Sequence, residues 1–212
     1  MSSSSSDMVL LRGSFAALLA LGRAAAPCPP ARQGLLVCNE PNRARAAQLE
    51  GVLASFLPKD LLAKGGGVAT TRAEASHAAP PVLQRLGPFD RVLVDPPCSS
   101  LRRQARDSSI AAQQRDPRAV KEAAELAESL LRCAGALVRP GGLIVYCTSS
   151  VEEDENDGVV RKFLRRADGD FEADSVALPG AEQTEHGTLI LPTQSVQHGP
   201  LYLARLRRAE DA

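Results

Sequence analysis

Runs rich in apolar residues alternate along the chain with longer stretches of helical spacing. Five such runs are four residues long and are bounded mostly by Gly, Pro or polar residues, a pattern typical of buried strands: residues 8–11, 35–38, 68–71, 91–94 and 143–146. Residues 42–56 and 117–138 instead carry apolar side chains three or four positions apart, which predicts amphipathic helices. Strands that alternate with helices in this way predict an α/β fold with a mostly parallel sheet.

This pattern covers most of the chain and leaves two short ends. The Ser-rich residues 1–7 are expected to be disordered, and residues 209–212 to form a tail. We therefore predict a single domain over residues 8–208, in which residues 8–33 hold the first strand and the loop after it. Residues 1–33 also combine Ser and Arg with a single acid, as mitochondrial targeting sequences do. No run is long enough to span a bilayer.

The composition excludes several classes of site. Twenty-five basic residues balance twenty-five acidic residues, so nucleic acid would have to be held by local arginines or by a partner protein. The five cysteines are odd in number and irregularly spaced, which is typical of a reducing compartment and of neither a disulfide framework nor a zinc motif. The three histidines are scattered, so we predict no metal site. Aromatic residues make up only 3% of the chain, which argues against a base-stacking platform.

Candidate chemistry begins where the fourth run ends, at Asp95-Pro96-Pro97-Cys98. Open α/β sheets bind ligands at the carboxyl ends of their strands, so Asp95 and Cys98 are expected at that edge. The alternative is a strand ended by a proline turn whose cysteine only packs. The fifth run leads into Cys147-Thr148-Ser149-Ser150. A crossover helix between the two strands is expected to place these two tips side by side.

Three other segments carry weaker signals. Glu40 follows the second run, where nucleotide-binding α/β folds hold the ribose hydroxyls of a cofactor, although a carboxylate there can equally cap the next helix. The glycines at 65–67 are expected to form a flexible turn before the third strand. The acids at 152–155 suit the positive end of a helix dipole, so we predict them in the first turn of a helix that reaches Arg166.

Basic residues cluster in two places. The loop after the fourth run contains Arg102, Arg103 and Arg106, which either neutralise phosphates of a nucleic acid or belong to an ordinary solvated loop. A second group, residues 205–208, ends the last apolar segment and is expected to form a basic surface.

Four segments resemble successive motifs of the Sun family of RNA 5-methylcytosine methyltransferases, also called the NSUN or RsmB-like family. They are 91–99, 139–142, 146–150 and 155–160. Residues 38–43 and 189–202 resemble the branch of that family that acts on mitochondrial ribosomal RNA. The resemblance covers residues 34–208. It implies a Rossmann-like class I S-adenosylmethionine-dependent methyltransferase fold with a C-terminal antiparallel hairpin.

The resemblance also implies roles for three residues. Carbon-5 of cytosine is not nucleophilic, so in the family one cysteine thiolate first adds to carbon-6 and a second cysteine helps to release the product. By position, Cys98 matches the release cysteine and Asp95 the acid that steadies the cytosine, whereas Ser149 stands at the nucleophile position. A serine hydroxyl is far less ionised than a thiol near neutral pH. Cys98 or Cys147 remains as an alternative nucleophile.

The cofactor motifs depart from the family as well. Gly13 is the single glycine where the family has a glycine-rich loop. Residues 70–73 stand where an acid would hold the adenine, with Glu74 the nearest substitute, and only Glu40 matches the family pattern at the ribose. We therefore expect no cofactor, or S-adenosylmethionine if the protein is active.

These departures give one functional prediction and one alternative. The chain is expected to be a catalytically inactive methyltransferase-like scaffold that binds ribosomal RNA or a ribosome assembly intermediate in mitochondria, without membrane contact. The resemblance implies a helical-repeat partner of the mTERF type. The alternative is an active S-adenosylmethionine-dependent rRNA cytosine-5 methyltransferase that uses Cys98 or Cys147.

Overall fold

The computed structural model describes residues 8–10, 34–99, 116–174, 177–192 and 200–210, the first of these ranges by its backbone. The strands in these ranges are β1 (Met8–Leu10), β2 (Leu36–Asn39), β3 (Val68–Thr71), β4 (Phe89–Val94), β5 (Val138–Thr148), β6 (Phe171–Ala173), β7 (Glu182–Gln183), β8 (Thr188–Ile190) and β9 (Leu201–Arg208). The helices are α1 (Arg43–Phe56), α2 (Lys59–Leu62), α3 (Pro81–Leu86), α4 (Pro117–Leu137) and α5 (Asp157–Ala167). None of these helices combines the length and apolar composition that a bilayer span requires.

The strands join into one sheet in the order β3-β2-β1-β4-β5-β9-β8-β7, with β6 paired to the end of β9. Strands β1 to β5 are parallel, and β9 lies antiparallel between β5 and β8. The chain runs outward from β1 to β3 and then returns to β4 on the other side of β1. The strand order therefore reverses between β1 and β4, where sheets of this kind bind ligands. The predicted Rossmann-like fold with a C-terminal antiparallel hairpin is confirmed.

Helix α4 supplies the main apolar face against the sheet. Leu131 and Leu137 are almost completely buried, and they belong to one cluster with Ile144 of β5 and Leu206 of β9. Cys133 is part of the same cluster, which confirms the expectation that it packs. This core holds the last parallel strands rigidly together, so the tips of β4 and β5 extend from a fixed base.

The acids at 152–155 do not start an α-helix, contrary to the sequence prediction. Glu153–Glu155 form a 3₁₀ turn, and Asn156 then adopts φ −104° and ψ −105°, outside the helical region. Helix α5 begins only at Asp157. The reason is tertiary, because the Asn156 side chain hydrogen-bonds to the end of β5 and so fixes the backbone at this junction.

Helix α1 is more exposed than its periodicity predicts. Ala46 and Leu53 are buried, but Phe56, the last residue of the helix, is 64% exposed. The helix connects β2 to β3, and β3 is the outermost strand of the sheet, so its final turn has little to pack against.

The glycines at 65–67 form a close-packed turn. Gly65 and Gly67 adopt φ of +85° and +98°, a region that side chains rarely enter. A Cβ atom at Gly66 would lie 1.9 Å from the carbonyl oxygen of Asp60. The turn therefore requires glycine for backbone geometry and for space, beyond the flexibility that the sequence suggested.

The arginines at the end of β9 are engaged within the protein, contrary to the expected basic surface. Arg205 and Arg207 pair with Asp174 at 2.8 and 3.2 Å. Arg208 donates a hydrogen bond to the carbonyl oxygen of Val138 at 2.6 Å. Because these contacts use the guanidinium groups, this segment is a poor candidate for a nucleic-acid contact.

Candidate functional site

Two neighbouring strand ends bring the main candidate residues together. Strands β4 and β5 pair in register as far as Val94 and Tyr146, and their tips continue from there. The Sγ atom of Cys98 lies 3.1 Å from the Oγ atom of Ser149, a hydrogen bond in which either atom can be the donor. Asp95 begins the same tip as Cys98 and is half-buried. The predicted juxtaposition of the two tips is confirmed.

The two candidate cysteines have different surroundings. Cys98 is partly exposed, whereas Cys147 is buried against Leu93. Burial first, and then the negative charges of Asp95 and Cys98, raise the pKa of the Cys147 thiol well above its usual value. Since the thiolate is the nucleophilic form, Cys147 is a poor nucleophile, and Cys98 is the better placed of the two.

Glu155 holds the tip that carries Cys98. Its carboxylate accepts a hydrogen bond from the backbone N–H of Ser99 at 3.0 Å and another from the Ser99 hydroxyl. The main-chain carbonyl oxygen of Glu155 accepts a hydrogen bond from the buried hydroxyl of Tyr146 at 2.5 Å. Burial, and then the charge of Glu155, raise the pKa of Tyr146 well above its usual value, so this hydroxyl stays protonated as a donor.

Asn156 holds the tip that carries Ser149. Its Oδ1 atom accepts a hydrogen bond from the Thr148 hydroxyl at 2.6 Å, and its Nδ2 atom donates to the carbonyl oxygen of Ser150 at 3.0 Å. The backbone N–H of Ser150 also donates to Thr148 Oγ1 at 3.2 Å. The residues on both sides of Ser149 are therefore fixed.

Asp157 is the centre of a third network, behind the tips. Its carboxylate accepts hydrogen bonds from the Tyr202 hydroxyl at 2.7 Å, the Thr184 hydroxyl at 3.1 Å, and the backbone N–H groups of Glu185 and His186 at 3.3 and 3.0 Å. Burial first, and then the hydrogen bond to Asp157, raise the pKa of Tyr202 above its usual range. Asp157 thus fastens the turn between β7 and β8 to strand β9.

The sequence did not identify Glu155, Asn156 and Asp157 as site residues. The acids before Asn156 were interpreted as charges that favour a helix N-terminus. The available signal was the motif 155–160 itself, which places three polar side chains directly before a pair of valines. Only the fold shows that the three side chains bind three different segments.

Glu40 is occupied by contacts within the protein. Its Oε1 atom accepts hydrogen bonds from the backbone N–H of Asn42 at 2.8 Å and from Arg45 Nη2 at 3.0 Å, and its Oε2 atom accepts one from Arg45 Nε at 3.0 Å. A ribose diol would have to compete with this two-pronged arginine contact. The structural alternative, a carboxylate that stabilises the start of α1, is therefore realised here.

The described residues offer an incomplete cradle for S-adenosylmethionine. The end of β2 is tied to the loop after β3, because the Asn39 amide accepts a hydrogen bond from Ala73 N–H at 2.8 Å and donates one to Ala73 O at 3.0 Å. Glu74, the substitute for the adenine acid, is exposed and accepts a hydrogen bond from Ser76 N–H at 3.1 Å. Residues 34–99 therefore do not fit the cofactor as the family motifs imply.

Several predicted residues lie outside the described ranges. These are Gly13 and the loop arginines Arg102, Arg103 and Arg106, whose roles stay predictions. In the part of the chain that the structure describes, no group of three or more His, Cys, Asp or Glu side chains is arranged to hold a metal ion.

Brief treatment of the native protein with iodoacetamide at about pH 8 is expected to modify Cys98 before Cys38, Cys133 and Cys147. Burial raises the pKa of Cys38 and of Cys133 to about 11, so only about 0.1% of either thiol is ionised at that pH. Peptide mapping over a time course measures the order, with urea-unfolded protein as the control in which all cysteines react. A buried cysteine that reacts as fast as Cys98 in folded protein contradicts this placement.

Known proteins match this chain over most of its length. A family model described as 16S rRNA methyltransferase RsmB/F matches residues 31–207. The chain is 31% identical over 201 residues to the mouse protein named tRNA (cytosine(34)-C(5))-methyltransferase, mitochondrial, a match that covers 88% of this chain and 55% of the relative. It is 25% identical over 190 residues to the bovine 5-cytosine rRNA methyltransferase NSUN4, with 82% and 48% covered. The chain spans about half the length of these relatives.

Solved structures agree on the fold. The NSun6 protein from Pyrococcus horikoshii, solved with SFG, superposes with a TM-score of 0.68 at 17% identity, covering 97% of this chain and 48% of that one. At this identity the likeness shows the fold alone, which is that of S-adenosylmethionine-dependent methyltransferases. The family model, by contrast, covers the sheet from β2 through most of β9 and includes both tips. The chain therefore belongs to the RsmB/F family of RNA cytosine-5 methyltransferases.

Proposed function

We propose that this chain is an RNA-binding member of the family that has lost cytosine-5 methyl transfer. The observation that carries the proposal is Ser149, which stands where the resemblance places the attacking cysteine and whose hydroxyl lies 3.1 Å from Cys98 Sγ. Methylation at carbon-5 requires a nucleophile that first adds to carbon-6. A serine needs a general base for that step, because its hydroxyl is scarcely ionised near neutral pH.

The surroundings of Ser149 do not supply such a base. Among the residues whose side chains the structure describes, its hydrogen-bond partner is the thiol of Cys98, and no histidine bonds to it. The cofactor side supports the same conclusion, since Glu40 is already paired with Arg45. Two separate departures, at the nucleophile and at the cofactor edge, therefore favour loss of methyl transfer.

The remaining function is binding. The mouse and bovine relatives are named for a mitochondrial tRNA and for rRNA, which supports an RNA partner and a mitochondrial location. The partner we infer is ribosomal RNA or a ribosome assembly intermediate, with Arg102, Arg103 and Arg106 as phosphate contacts. The chain carries no net charge, so a helical-repeat partner of the mTERF type would supply the positive surface that it lacks.

One observation favours a second candidate, an active cytosine-5 methyltransferase that uses Cys98 as the nucleophile. Cys98 is partly exposed at the sheet edge, whereas burial keeps the alternative Cys147 protonated. In this reaction the Cys98 thiolate adds to carbon-6 of cytosine and is expelled after carbon-5 has been methylated. S-adenosylmethionine would supply the methyl group.

Labelled S-adenosylmethionine and protein-free mitochondrial ribosomal RNA separate the two candidates. We expect no transfer above that of a Cys98→Ala, Ser149→Ala double variant. Transfer that the single change Cys98→Ala abolishes establishes the second candidate and rejects the first. Calorimetry with the cofactor gives an independent check, because micromolar binding that is lost in Glu40→Ala also contradicts an inactive cofactor edge.

Charge reversal of Arg102, Arg103 and Arg106 to Glu is expected to weaken RNA binding by about tenfold or more and to lower the salt dependence by about three phosphate contacts. Filter binding across a salt series measures both quantities. The matched control reverses three exposed basic residues elsewhere on the surface, Arg85, Lys162 and Arg165. Equal losses in the two triple variants contradict a specific role for the loop.

A further inference from the structure

The two tips of the candidate site share one support. Glu155 binds Ser99, the residue after Cys98, through both the backbone N–H and the hydroxyl. Asn156, the next residue along the chain, binds Thr148 and Ser150, which flank Ser149. Two consecutive side chains therefore hold the neighbours of both Cys98 and Ser149.

This support is rooted in the core. Glu155 is 1% exposed and Asn156 is 4% exposed. The main chain of Glu155 is bonded to the Tyr146 hydroxyl, and Tyr146 is completely buried within β5. Asn156 leaves the helical conformation at this point, so the two adjacent side chains can reach two different tips. The support is thus anchored to the strand from which one of the tips extends.

Sheet pairing alone does not set the separation of the tips. Strand β4 ends at Val94, and its register with β5 ends at the same residue. Cys98 lies four residues further on, where the hydrogen bonds of Ser99 to Glu155 locate the segment. The 3.1 Å contact between Cys98 and Ser149 therefore depends on groups outside the strand ladder.

We propose that Glu155 is a positioning residue that holds the thiol of Cys98 against the hydroxyl of Ser149. It acts through Ser99 and does not touch Cys98 in the structure. Asn156 fixes the opposite side of the contact through Thr148 and Ser150. This inference goes beyond the proposed function, because the geometry of the pair is the same whether or not the protein transfers a methyl group.

The chemistry of the contact distinguishes geometry from charge. Gln at position 155 keeps one oxygen to accept from Ser99 N–H, and its amide can donate to the Ser99 hydroxyl, so both contacts survive without the negative charge. Ala removes both contacts and leaves the Ser99 N–H without its acceptor. A positioning role predicts that Gln rescues and Ala does not.

Cross-linking in a Ser149→Cys background tests this role in the full chain. Diamide treatment is expected to join the introduced thiol to Cys98 at the parent rate when position 155 is Glu or Gln. With Glu155→Ala the rate is expected to fall about tenfold, as the loss of one charge-assisted hydrogen bond would give. Non-reducing peptide mapping over time measures the rate. The matched control is Glu153→Ala, which removes an exposed acid of the same turn whose contact is Arg161.

Two outcomes overturn the proposal. One is a folded Glu155→Ala variant that cross-links at the parent rate, and the other is a Gln variant that is as slow as the Ala variant. If Glu155→Ala does not fold, Ser99→Ala removes only the hydroxyl contact and is expected to slow cross-linking about threefold. An unchanged rate in that variant overturns the proposal equally. Because the readout is a disulfide, it is independent of the methyl-transfer assay that tests the proposed function.

Discussion

A Ser149→Cys variant is expected to form a disulfide with Cys98 under mild oxidation. The oxygen that the new sulfur replaces lies 3.1 Å from Cys98 Sγ, and bonded sulfurs lie about 2.05 Å apart, so a small shift of either tip suffices. The bridge joins positions 51 residues apart. For a loop of that length, the chain-entropy model gives about 4 kcal/mol of added stability.

Thiol titration of the unfolded protein measures this result. The parent chain has five cysteines, so the variant holds six thiols when reduced and four after the bridge forms. Urea unfolding of the oxidised and reduced forms measures the gain in stability. Cys98→Ala in the same background is the control, and it keeps its thiols under the same oxidation. A free Cys98 beside a free introduced thiol after oxidation contradicts the placement of the tips.

Replacement of Asp157 by Ala is expected to lower the free energy of unfolding by about 3–5 kcal/mol. The buried carboxylate accepts hydrogen bonds from the Tyr202 and Thr184 hydroxyls and from two backbone N–H groups of the β7–β8 turn. The change leaves the Tyr202 hydroxyl, which is completely buried, without its acceptor. It also releases the turn that rests on β9.

Urea unfolding followed by circular dichroism compares this variant with two others. Asp157→Asn keeps one acceptor oxygen and is expected to lose about half as much stability. Asp170→Ala removes an exposed carboxylate close to the other end of α5 and is expected to change stability by less than about 0.5 kcal/mol. If Asp157→Ala and Asp170→Ala are equally stable, Asp157 does not have this structural role.

The elements with local signals could be predicted from the sequence. Strand β3 spans Val68–Thr71, as its apolar run predicts. Helix α4 begins at Pro117, and the Asp116 side chain accepts a hydrogen bond from Arg118 N–H at 2.9 Å, as expected of an N-cap. These features depend on residues within one or two turns of each other, so the sequence contains all the information that they need.

The features that the sequence missed depend on distant partners. Asn156 interrupts the expected helix because Thr148 and Ser150 bind its side chain. Arg205 and Arg207 lose their predicted role as surface charges because Asp174 lies beside them across the sheet edge. No local pattern specifies such partners, because they meet only when the chain has folded.

The candidate site divides along the same line. Asp95, Cys98 and Ser149 could be placed at one sheet edge because parallel strands must end together. Glu40 was identified as well, but its pairing with Arg45 appears only in the structure. Glu155 was interpreted as a helix-dipole charge, since its partner Ser99 lies 56 residues away in the chain.

By itself, the sequence determined the order of strands and helices, the parallel sheet, the family motifs and the chemical identity of the side chains at the two tips, including a serine where the family motif has a cysteine. The tertiary structure alone decided the 3.1 Å contact between Cys98 and Ser149, the burial of Cys147 and the hold of Glu155 and Asn156 on the tips. The physical reason is that periodicity and capping act between near neighbours, whereas burial and hydrogen bonding at the site join residues about fifty positions apart.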